Sequence, residues 1–345
     1  MTRRIPILSA VLVLQIGLAA ALAFIGRDSG AFRSDEKFID LELASLGKIV
    51  IQDKDDPALV MERKDGSWIL PDHFDFPVSN TKLDRVTGKL FGITKPWPVG
   101  TTGVAAKRFK VADEDFERKI TFSKGQEEVA TLLIGTSPGF KKVHARLASE
   151  EAIYAIDFSS YEASVKPQDW EDKDVLDLDP DEIVRVEMTD VRLMRDGDAL
   201  TVSDLGEAEE TDPSGVNKLL SKLSKPTFLE VLGTEDKPEY RQDTPVLAYT
   251  IETRSGEAID YTYSQPKEGD DFILKVSSRP EYFETSKYSV EGVQELTRDK
   301  LVREKTAAES TGGQGEIESQ AAGMMDEGAG PASASPKGSS GPSDS

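Results

Sequence analysis

The chain has 345 residues and a formal net charge of −21, from 63 acidic against 42 basic side chains. This balance argues against nucleic acid as a partner, since phosphate binding needs a basic face, and against a polybasic contact with anionic lipid. There is no cysteine, which excludes a lipoprotein anchor, a disulfide framework and a thiolate metal site.

Directly behind Arg3 and Arg4 comes an uncharged run of 21 residues, Ile5 to Ile25. At about 1.5 Å per residue a helix of that length matches the ~30 Å hydrocarbon core of a bilayer, so the run predicts a transmembrane helix over 5–25. The basic residues at 1–4 stay cytoplasmic and the rest of the chain lies outside. The chain is therefore expected to be single-pass in a cytoplasmic membrane, with its bulk extracytoplasmic. A cleaved signal peptide is the competing reading, because Ala21-Leu22-Ala23 fits a small-x-small cleavage site. The run is longer than the roughly 7–15 residues of a signal's apolar region, which favours the uncleaved anchor.

The remaining length suggests two domains on a prior of roughly 150 residues each. A repeat spaced by about 130 residues supports this. Arg63-Lys64-Asp65-Gly66 runs into Ser67-Trp68-Ile69-Leu70, and Arg195-Asp196-Gly197 runs into Asp198-Ala199-Leu200-Thr201-Val202. Each reads as strand, glycine turn and strand. Helical stretches follow at Thr81–Leu90 and Ser214–Leu223, with Asn80 and Ser214 as expected N-caps. Lys95-Pro96 and Lys225-Pro226 come after the helices, then Gly100-Thr101 and Gly233-Thr234. Two pairs of strands turn at Ser123-Lys124-Gly125 and Arg254-Ser255-Gly256, and each copy closes near Tyr154 or Tyr282. The predicted class is α+β with largely antiparallel sheets: a first repeat over 35–175, an acidic linker at 172–182, and a second repeat over 180–303. Residues 306–345, rich in Gly, Ser, Ala and Pro, bury too little to offset chain entropy and are expected to be disordered.

The motifs for chemistry fail on physical grounds. Gly135-Thr136-Ser137-Pro138-Gly139 has the Gly-x-Ser-x-Gly spacing, but the residue after the serine must donate its N–H to an oxyanion and Pro138 has none. It reads as a hairpin turn. Ser34-Asp35-Glu36-Lys37 matches Ser-x-x-Lys without its companion motifs. Asp177, Asp179 and Asp181 alternate as in a calcium loop, but Glu182 and Met188 stand where Gly and Glu are required. The two histidines, His73 and His144, have no partner at metal-ligand spacing. Trp68, Trp97 and Trp170 are expected as core anchors. No catalytic, cofactor-binding or metal-ligating residue is assigned, and no cofactor is expected.

Taken together, the anchor, Asp65-Gly66-Ser67-Trp68-Ile69-Leu70-Pro71, the Val78–Leu90 helix, Pro98-Val99-Gly100-Thr101, Leu133-Ile134-Gly135 with Ala145-Arg146, and Trp170–Leu178 resemble the bacterial domain-of-unknown-function 4340 proteins. The resemblance covers about residues 35–305 and leaves out the C-terminal tail. It implies no activity or ligand. It does imply a neighbourhood, because such proteins tend to be encoded beside ABC-transporter components of the gliding-motility or auxiliary type. The resemblance places the span in the bacterial inner (cytoplasmic) membrane, and the expected function is therefore a membrane-anchored extracytoplasmic binding or scaffold protein, not an enzyme. Its partners are the membrane, through the N-terminal helix, and a protein, with ABC-transporter subunits as the implied class. The alternatives are an envelope protein binding a glycan or small ligand, and a hydrolase with dispersed carboxylates.

Overall fold

The computed structural model describes residues 36–305 and, before them, Gln15 alone. The predicted span at 5–25, its flank at 1–4 and the tail at 306–345 lie outside the described residues. Among the described residues no helix is long and apolar enough to cross a membrane.

The first half contains β1 (Lys48–Gln52), β2 (Leu59–Lys64), β3 (Ser67–Leu70), β4 (Phe76–Pro77), helix α1 (Asn80–Phe91), β5 (Pro98–Gly100), α2 (Gly103–Arg108), β6 (Val111–Ala112), β7 (Asp115–Phe116), β8 (Arg118–Lys124), β9 (Glu127–Ile134), β10 (Val143–Leu147) and β11 (Ile153–Ile156). The second half contains β12 (Ile183–Met188), β13 (Arg192–Asp196), β14 (Ala199–Val202), β15 (Glu209–Thr211), α3 (Pro213–Leu223), β16 (Glu230–Gly233), β17 (Pro245–Thr253), β18 (Ala258–Ser264), β19 (Phe272–Val276), β20 (Tyr282–Thr285), α4 (Lys287–Gln294) and β21 (Val302–Glu304). One sheet runs β4-β3-β2-β1-β8-β9-β10-β11-β5 and the other β14-β13-β12-β17-β18-β19-β20-β16. The pairings within both are antiparallel. The class is α+β and rich in sheet. With β4 set aside, both sheets take their strands in the same order relative to their own half.

Hairpins form where the chain supplies left-handed backbone. Asp65 and Gly66 (φ 52° and 89°) join β2 to β3, and Gly125, Gly197 and Gly256 turn the corresponding hairpins at φ 60°, 61° and 84°. The caps differ from the sequence expectation. Ser79, not Asn80, accepts from Lys82 N at the start of α1. Asp212, not Ser214, caps α3, and its side chain accepts from Ser214 N itself. Pro213 fits the first helical position because it has no N–H to satisfy.

Helix α1 lays Leu83, Val86, Leu90 and Phe91 on the first core, and α3 lays Val216, Leu219 and Leu223 on the second. The 3–4 spacing of these residues makes one apolar stripe per helix. In the first sheet β10 is buried on both faces, because α2 and the β6–β7 hairpin pack Ala106 and Val111 against Leu133 and Ile153.

Two glycines in helices separate space from strain. A Cβ on Gly88 meets nothing within 4 Å, whereas one on Gly215 would lie 1.9 Å from Lys300 O. Gly88→Ala should therefore raise stability by about 0.5–1 kcal/mol, and Gly215→Ala should lower it by about 1–3 kcal/mol through overpacking. Thermal unfolding of the two variants should shift in opposite directions.

Candidate interaction site

The turn between β3 and β4 carries His73. The two residues after it, Phe74 and Asp75, have φ of 60° and 54°, a costly conformation for side chains other than glycine. This turn reaches the segment that links the two halves. His73 Nε2 lies 2.9 Å from Glu171 Oε1, and Lys173 Nζ donates to the other oxygen at 2.6 Å. The Glu171 side chain has no exposed surface. Burial, the largest single influence, pushes its carboxyl up, but the hydrogen bonds and charges of His73 and Lys173 outweigh it and hold the group below its ordinary value.

Lys173 also crosses to the second half. Its ammonium donates to Leu229 O at 2.8 Å and stands 4.2 Å from the centre of the Phe228 ring. Gln168 Nε2 donates to Glu230 Oε1 at 2.8 Å. Phe74 packs on Gly233, where a Cβ would sit 3.2 Å from its ring. Phe76, on the first sheet, is fully buried in the second core, with ring centroids 5.9 Å from Phe228 and 6.1 Å from Phe283. Arg279 covers it at 5.4 Å and grips Glu281 through two hydrogen bonds of 2.9 Å. The edge strands β4 and β16 are thus fastened by one apolar plug and one buried polar cluster.

The fold gives His73 a partner that no local spacing could indicate, a carboxylate 98 residues away. His144 has an ordinary packing role, with Nδ1 2.9 Å from Thr136 Oγ1 and its ring stacked 4.0 Å from Phe109. Ser137 sits in the loop between β9 and β10, with Oγ 2.7 Å from both Gly139 O and Lys142 O. Ser137→Ala should cost under about 1 kcal/mol, since the site is exposed and water replaces the bond; a denaturant midpoint reads this. Asp179 caps Asp181 N at 2.9 Å and Asp177 pairs with Lys225 at 3.5 Å. Among the described residues no three His, Asp or Glu converge to hold a metal.

A family model for a domain of unknown function, DUF4340, matches residues 68–245, just over half of the chain. The chain belongs to this family. The match runs from β3 into β17 and takes in His73, Phe76, Glu171, Lys173 and Phe228, while Arg279, Glu281 and Phe283 lie beyond it. No curated protein matches the chain, and no solved structure does.

The opposite end of the first sheet in this DUF4340 chain is open. Trp68 and Trp170 are core residues, but Trp97 is 74% exposed, against the expectation of a core anchor. The reason is local. Pro96 and Pro98 flank it, and β5 pairs with β11 only from Pro98 onward, so Trp97 lies beyond the ladder. It lines a groove of about 660 Å³ with Lys95, Tyr154 and Asp157. A second groove of about 700 Å³ is lined by Arg85, Lys89, Lys141, Phe140 and Tyr161. Lys142 belongs to both grooves. Phe140 and Tyr161 are 88% and 89% exposed.

Proposed function

We propose that the protein is a membrane-tethered, extracytoplasmic association module without catalytic activity. In this reading residues 5–25 hold it to the inner membrane, and residues 35–175 and 180–303 are two copies of one α+β unit. The matching strand orders of the two sheets support the duplication. Its partner is a protein of the same membrane, and the family resemblance implies ABC-transporter subunits.

The observation that carries the reading is the use made of Glu171. The buried Glu171 carboxylate is consumed in joining the halves: both its oxygens accept hydrogen bonds, and the same lysine ties the pair to Leu229 O across the joint. A general base needs a free, accessible lone pair beside its substrate. A rigid joint suits a body that presents a fixed surface, and tethering raises its effective concentration toward membrane partners.

Affinity capture of the full chain from its native membranes tests this. Transporter subunits should co-purify, with unchanged yield for Ser137→Ala and His144→Ala. A folded His73→Asn protein that keeps its partners but loses cellular function would instead restore the hydrolase reading.

A further inference from the structure

The two grooves lie at the point where the chain enters the fold. Phe38 N donates to Ile93 O and Lys95 N donates to Glu36 O, both at 2.8 Å, and Lys37 bridges Thr94. Residues 36–38 therefore run along the segment that lines the Trp97 groove. Ten residues separate the predicted span, ending at Ile25, from Glu36, and a chain of that length reaches at most about 40 Å. With the span as anchor, this end of the body stays within that distance of the bilayer.

Its chemistry differs from the rest of the chain. The linings of the two grooves hold five cations, Arg85, Lys89, Lys95, Lys141 and Lys142, against two carboxylates, Asp157 and Glu162, in a chain where acids outnumber bases 63 to 42. Lys89 pairs with Glu162, Lys142 with Asp157, and Lys95 with Glu36 and Glu150. Among the described residues, Arg85 and Lys141 have no carboxylate at salt-bridge distance. Three nearly bare aromatic rings, Trp97, Phe140 and Tyr161, stand beside these cations. Trp97 and Tyr161, each with an apolar body and a polar tip, suit the headgroup layer of a membrane, with Phe140 adding apolar area beside them, and each nearby cation adds roughly 1 kcal/mol on an anionic surface. Counting Glu36 and Glu150 with the linings, the cations exceed the carboxylates by one, in a chain of net charge −21.

We infer that this end of the first sheet docks on the anionic lipid surface of the membrane that anchors the chain, with Trp97, Phe140 and Tyr161 in the headgroup layer and Arg85 and Lys141 against lipid phosphates. The inference rests on the anchor reading above. It orients the body on the bilayer, with the junction and the second sheet held away from the docked end and free for a protein partner.

The chain's three tryptophans make the test direct, since Trp68 and Trp170 are buried and Trp97 is not. The full chain is reconstituted into phosphatidylcholine bilayers, with or without phosphatidylglycerol, that carry brominated acyl chains as the quencher. The Trp97 share of the emission is the part that Trp97→Phe lacks. This share should be lost in the anionic bilayers, and the combined Arg85→Glu and Lys141→Glu variant should restore it while Trp68 and Trp170 emit as before. Equal quenching in purely zwitterionic bilayers overturns the inference, as does a Trp97 share untouched by brominated lipid. If acrylamide also fails to reach Trp97, a protein surface, either a partner or a second copy, occupies the grooves instead. A chain that does not float with the vesicles removes the anchor reading and this inference together.

Discussion

Phe76→Ala should cost about 3–5 kcal/mol, the range for truncating a buried phenylalanine. It should also split one unfolding transition into two. The side chain belongs to β4 of the first sheet, yet it is fully buried among Phe228, Phe283 and Leu176 of the second core. Truncation removes the edge-on contacts with both rings and the surface that Arg279 covers. The cavity opens where the first sheet plugs the second core. Each half keeps its own helix stripe and its own ladder, so the halves should lose their coupling before their folds. Calorimetry reads the result as a main transition lowered by roughly 10 °C, at 2–4 °C per kcal/mol for a chain of this size, with a second one resolved from it. A single transition displaced by less than about 1 kcal/mol would mean that other contacts fasten the halves.

Residues that act on their neighbours in the chain were legible in the sequence. Gly66, Gly125, Gly197 and Gly256 sit at hairpin turns because left-handed backbone is a local demand, and all four have positive φ. The apolar stripes of α1 and α3 follow from helical spacing. The two caps were each misread by one or two positions, since Ser79 and Asp212 compete with equally suitable neighbours and only the entry path of the chain decides between them. Trp97 was misread because an aromatic beside prolines looks like a core anchor until the pairing limit of β5 is known. The His73–Glu171 pair was not legible at all. Its residues are 98 positions apart, and they meet only because β4 pairs with the segment after Trp170, through the bridge of Val78 to Glu171.

Glu171 should be the polar group whose loss is felt most. Glu171→Ala is expected to cost about 2–3 kcal/mol, below the 3–5 kcal/mol typical of breaking a buried pair, because Lys173 is partly exposed and can turn to water. Glu171→Gln keeps the shape and one acceptor and should cost about 1–2 kcal/mol at neutral pH. The pH dependence separates charge from shape. The folded protein holds this carboxyl below its ordinary 4.5, so folding favours the ionised form. That stabilisation is complete above 4.5 and is lost as the pH falls through the lower folded-state value. A protonated Glu171 resembles glutamine, so the gap between wild type and Glu171→Gln should be full at neutral pH and close in acid. Carboxylates remote from the cluster titrate in both proteins and cancel in the difference, while His73, which faces Glu171, is part of the gap being read. Denaturant unfolding of the two proteins at neutral pH and in acid gives that gap directly. A gap that stays constant with pH would mean that the charge of Glu171 contributes nothing to the joint, leaving Phe76 to fasten the sheets.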